Sequence, residues 1–192
     1  MSARGRVIPL AVALASSVAA GAERGPDPTR RETPAAREQA RLCERQSLEE
    51  GVAACRAALE LGIGAERRGP VREMLAKHLV ALEKWDELAE LLREGVRLDP
   101  ANAAAWHRLG LTLLFALGEA AEATGALEEA ARLAPRDGPV RVGLALGLQA
   151  TGRATEAAAA FEEALSIDPA VLDARPAARA AMEAARRGEP WP

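Results

Sequence analysis

From Pro34 onward, apolar side chains return every three or four residues in runs of about a dozen, and Gly, Pro or Asp separates the runs. That spacing lays one apolar stripe along an α-helix. Nothing alternates with period two over a useful length, so the pattern predicts helices and no strands. The run ends also repeat, because Leu98-Asp99-Pro100, Leu133-Ala134-Pro135 and Ile167-Asp168-Pro169 fall 35 and 34 residues apart. Aligned on those prolines, the first half of each unit gives Leu75-Ala76 with Leu79, Leu109-Gly110 with Leu113, and Leu144-Ala145 with Leu148. The second half gives Leu88, Leu92 and Gly95, then Ala123, Leu127 and Ala130, then Ala157, Phe161 and Ala164. Two antiparallel helices per unit follow. Residues 23–33 are polar, contain proline and show no apolar period, and they read as a disordered linker.

The repeat resembles the tetratricopeptide repeat (TPR), a 34-residue helix pair marked W-x2-L-G-x2-Y, then A-x3-F, then P. Trp106-x2-Leu109-Gly110-x2-Leu113 matches its first half. Ala157-x3-Phe161-x2-Ala164-x4-Pro169 matches the second, and Trp85 stands where an aromatic often opens the second helix. Leu replaces the Tyr each time, Arg72 stands where Trp is usual, and the middle unit carries one extra residue near Gly118. The resemblance implies an all-α superhelix, or solenoid. Its parts are a degenerate pair at 34–66, full pairs at 69–102, 103–137 and 138–171, a capping helix at 173–187 with Asp173 as its N-cap, and a tail at 188–192. No such unit buries its apolar face alone, so the stack supplies the core.

The first helix of the middle unit carries more apolar residues than one neighbour can use. At 100° per residue, Trp106, Leu109, Gly110, Leu113 and Leu117 share a face, while Leu111 and Phe115 point away with Leu114 and His107 beside them. A helix apolar nearly all round is covered on both sides. In the next unit, Val142, Leu146 and Gln149 hold the corresponding positions, and in the preceding one Glu73, Lys77, Val80 and Ala81 do. By resemblance to TPR proteins, these first helices line a groove that receives a partner's peptide or helix. The partner-binding set is then Glu73, Lys77, His107, Leu111, Leu114, Phe115, Val142, Leu146 and Gln149. Apart from Lys77, the Lys, Asn and Arg of a carboxylate clamp are missing. The competing reading has the chain's own last helix or tail, with Trp191, lying over these residues, or a second copy filling the groove as a homo-oligomer.

Composition adds limits. The 192 residues are 49% hydrophobic but 3% aromatic, so the apolar content is chiefly Ala and Leu, which favour helix. Residues 1–22 read as a signal peptide: Arg4 and Arg6 start it, Val7–Ala15 is apolar, and Ala20-Gly21-Ala22 offers a small-x-small cleavage site. Export to the periplasm or medium is expected, with no stable membrane insertion after cleavage. Loss of that segment takes the net charge from −3 to about −5, which argues against nucleic acid. Cys43 and Cys55 either form a disulfide, which would add roughly 3 kcal/mol by the chain-entropy model, or sit as two small apolar helix residues. His78 and His107 are read as solvated helix histidines, too few for a metal site. The paired acids Glu49-Glu50, Glu128-Glu129 and Glu162-Glu163 read as solvated faces. An enzyme or small-ligand binder built on His107 with Glu73 would lack a nucleophile with a matched base. No cofactor, metal or catalytic residue is therefore expected, and the reading is of a scaffold for another protein in the bacterial envelope.

Overall fold

The computed structural model describes residues 32–173 and 175–189. The signal-peptide segment, residues 23–31 of the linker and Trp191 lie outside the described residues. Among the described residues nine α-helices follow in order: α1 Pro34–Arg45, α2 Leu48–Glu60, α3 Ala65–Ala81, α4 Trp85–Leu98, α5 Ala103–Thr112, α6 Ala120–Leu133, α7 Gly138–Ala150, α8 Ala154–Ile167 and α9 Pro176–Arg186. A π-helical turn, Leu113–Leu117, prolongs α5, and the described residues contain no strand. The helices pack as four successive antiparallel pairs, α1 with α2 through α7 with α8, and α9 closes the row against α7 and α8.

Local chemistry sets the starts of these helices. Thr33, Asn102 and Asp137 cap α1, α5 and α7, each accepting a bond at 3.0–3.1 Å from the backbone N–H three residues on. Thr33 and Glu32 are thus ordered parts of the first pair rather than linker; Glu32 also accepts from Arg37 at 2.8 Å. The hairpin turn inside each full unit needs one left-handed residue. Gly118 and Gly152 supply it at φ 70° and 79°, whereas Glu83 takes the same place at φ 55°, against the steric preference of a side-chain-bearing residue.

Two boundaries differ from expectation. Helix α3 starts at Ala65 instead of 69 and carries Pro70 inside its second turn, at the loss of one backbone hydrogen bond. Helix α9 is preceded by Arg175, not capped by Asp173. Val171 and Leu172 turn into the core there, and Asp173 instead receives Arg179 at 2.8 Å. The extra residue of the middle unit is absorbed by the π-helical turn, so the stripes on either side keep their register.

The repeated positions form the core. Leu75, Ala76, Leu79, Leu109, Leu113, Leu144, Ala145 and Leu148 are buried, as are Ala123, Leu127, Ala130, Ala157, Phe161 and Ala164. Gly110 is required by close approach: a Cβ there would stand 2.5 Å from Leu127 Cγ. Trp106 and Leu114 pack against both the N-terminal and the C-terminal part of the core, which joins the two. On the opposite side, ion pairs step from each second helix to the next. Arg56 meets Glu87, Arg93 meets Glu122 and Arg153, just before α8, meets Glu128, while Arg186 of α9 meets Glu162 of α8. The acids read as solvated are solvated, but Glu128 and Glu162 also tie neighbouring units together.

Candidate partner-binding groove

The groove-lining set does not act as one surface. On α3, Glu73, Lys77, Val80 and Ala81 are all exposed, and Glu73 is engaged by Arg108 of α5 at 2.5 Å. That end is polar and partly self-paired. The other end is different. Helices α5, α7 and α9 enclose a pocket of about 370 Å³ whose walls include His107, Leu111, Phe115, Val142 and Leu146 from the predicted set. Pro139 and Gly143 of α7 and Arg175 to Ala178 at the start of α9 complete it. Phe115 stands at its edge with 58% of its surface exposed.

Two members of the set are elsewhere. Leu114 is half-buried among core side chains and is not a wall of the pocket. Gln149 is 1% exposed, because α7 is enclosed by α6, α8 and α9 and every residue from Val142 to Gln149 is buried. The groove reading of Gln149 is therefore corrected: the helical wheel gave its direction but not the cover that the helices packed around α7 supply. Its amide oxygen and nitrogen find no hydrogen-bond partner among the described residues. Leaving such a group unmatched is destabilising, so Gln149→Met is expected to raise the free energy of unfolding by about 1–2 kcal/mol, read from urea denaturation.

His107 is not the solvated side chain expected from sequence. Its ring sits half-buried against α7, where Gly143 makes the room; a Cβ on that glycine would lie 2.8 Å from Nε2. That nitrogen is buried and has no hydrogen-bond partner among the described residues. Burial holds the imidazole below its usual range; the Asp137 carboxylate pulls the other way, and the Arg175 guanidinium adds to the lowering. The folded state thus prefers neutral His107, while the unfolded chain takes up a proton near the ordinary value of about 6.5. Its contribution to stability is full above that value and is lost as pH falls toward the lower folded value. Urea midpoints measured between pH 7.5 and 5 should fall more steeply for the wild type than for His107→Gln.

His78 is also corrected. It is 7% exposed, in the core beside α1, and its Nε2 lies 2.9 Å from the Cys43 carbonyl oxygen. Cys43 and Cys55 are joined in a disulfide with Cα atoms 4.7 Å apart. Sequence reasoning missed Pro139, Gly143 and the start of α9 as pocket walls. The signal was available, since α9 occupies the place of a further unit's first helix and so extends the row that α5 and α7 begin.

A family model described as tetratricopeptide repeat matches residues 141–171, which span most of α7 and all of α8. No curated protein matches the chain. Among solved structures, the chain is similar to MamA of strain MSR-1, at 24% identity and a TM-score of 0.55 over 70% of this chain and 75% of that one. It is similar to MamA of strain AMB-1 at 28% identity and TM-score 0.52, over 62% and 68%. The fold is also shared with residues 41 to the end of MamA from Desulfovibrio magneticus RS-1, at 16% identity and TM-score 0.60 over 82% and 95%. Residues 141–171 thus match a tetratricopeptide repeat, within a row of helix pairs whose fold is shared with MamA.

Proposed function

We propose that this protein is a non-catalytic adaptor of the bacterial envelope, exported by its N-terminal segment, that holds a partner protein through an apolar side chain seated between α5, α7 and α9. The observation that supports this most is the pocket itself. It is walled almost wholly by carbon, it is large enough for an aliphatic or aromatic side chain, and Phe115 extends its apolar edge outward. Recognition by a helix or extended segment with one or two apolar anchors fits such a preformed site. Among the described residues no helix is long and apolar enough to cross a membrane.

Self-cover is the second reading, favoured by the way α9 already buries against α7. The two separate in one experiment. The processed chain and its Leu111→Asp/Phe115→Asp variant are immobilised and compared for proteins retained from envelope extract, with far-UV circular dichroism of both. An adaptor loses a partner in the variant while its helix signal stays. Retention of the same proteins by the variant would remove the pocket from the interface.

A further inference from the structure

Cys43, Cys55 and His78 come from three successive helices and meet in the N-terminal part of the core. Their two Sγ atoms and a ring nitrogen of His78 lie within 4.8 Å of one another, and all three residues are buried. The imidazole has space because Gly51 faces it from α2: a Cβ at that position would stand 2.6 Å from Nε2. Glycine inside a helix costs about 1 kcal/mol relative to alanine, so the space is kept at the expense of stability. His78 bonds to the Cys43 carbonyl, one of the carbonyls left over at the end of α1. A glutamine amide could serve that carbonyl equally well; what the imidazole adds is a ligand beside two sulfurs.

We propose that this cluster is a redox-gated metal site, closed as the disulfide and able in its dithiol form to bind one Cu(I). Both cysteines are fully buried, so a dithiol reaches them when α1 opens locally; it breaks the Cys43–Cys55 bond, two electrons and two protons pass to the sulfurs, and the reductant closes its own disulfide. Cu(I) then displaces the two thiol protons and is held by two thiolates and an unprotonated ring nitrogen of His78, the ring keeping its one proton on the other nitrogen. Soft thiolates favour Cu(I), which is content with three donors. Zn2+ wants a fourth ligand, usually from the protein or water. No fourth His, Cys, Asp or Glu joins the cluster among the described residues.

The test uses the full processed chain, reduced with dithiothreitol, freed of it without oxygen, and titrated with Cu(I) against the chromogenic chelator bathocuproine disulfonate. The reduced chain is expected to withhold one Cu(I), the air-oxidised chain none, and X-ray absorption to show two sulfur neighbours and one nitrogen. His78→Gln keeps a donor for the Cys43 carbonyl but cannot replace the ring, so its affinity should fall by about tenfold or more with an unchanged far-UV spectrum. Cys43→Ser/Cys55→Ser should withhold none. Should that double variant fail to fold, the wild-type absorption spectrum and His78→Gln decide. The proposal is overturned if the reduced wild type withholds no Cu(I), if His78→Gln binds as tightly as wild type, or if Zn2+ is taken up in preference to Cu(I).

Discussion

Phe161→Ala is expected to lower the free energy of unfolding by about 3–5 kcal/mol, a large part of the ~5–15 kcal/mol that holds a domain of this size together. Phe161 is fully buried in the C-terminal part of the core, where α7, α8 and α9 contribute the surrounding apolar residues. Truncation removes the ring's transfer energy and leaves a cavity that the small neighbours Ala157, Ala160 and Ala164 cannot fill. The chain has one other phenylalanine, Phe115, and it provides the internal control. With 58% of its surface exposed, Phe115→Ala should shift stability by no more than about 0.5 kcal/mol. Urea denaturation of the two variants beside wild type measures both. Equal losses would mean that Phe115 is a core residue and that the apolar pocket edge does not exist.

The second large effect is on binding. Leu111→Asp/Phe115→Asp is expected to weaken the complex with the captured partner by about 100-fold or more, since buried anchors at an interface each account for roughly 2 kcal/mol or more. Leu111 is half-buried against the C-terminal core, so some stability is lost with it. Isothermal titration of wild type and variant, with thermal unfolding of the free proteins alongside, keeps the two effects apart. A variant that unfolds without partner would favour self-cover. Unchanged affinity would place the partner on the polar end near Glu73 and Lys77.

Most of the fold was legible because its determinants are short-range and recur. The Pro100, Pro135 and Pro169 period gave the units, and small residues at 76, 110 and 145 gave the close helix contact. Trp106, Leu109 and Leu113 against Leu111 and Phe115 gave the two faces of α5. What was not legible depends on covering by distant chain. Gln149 shares a helical stripe with Val142 and Leu146, yet whether each position is wall or interior is decided by the helices packed around α7. His78 looked solvated because nothing in its own helix shows that Gly51, 27 positions earlier, leaves a hole for its ring. The extra residue near Gly118 was visible as a count, but its form as a π-helical turn was not.

The cap helix α9 has a consequence for how the pocket behaves in time. Among the described residues it is an 11-residue helix that packs against α7 and α8 alone, and in a linear stack such an element opens before the middle does. The far end of the row is stapled by the Cys43–Cys55 bond, so fraying is directional and starts at the wall of the pocket itself. Any occupant that bridges α7 and α9 therefore doubles as a clasp. Amide hydrogens of α9 should exchange more slowly once it is seated, while those of α1 and α2 keep their pace.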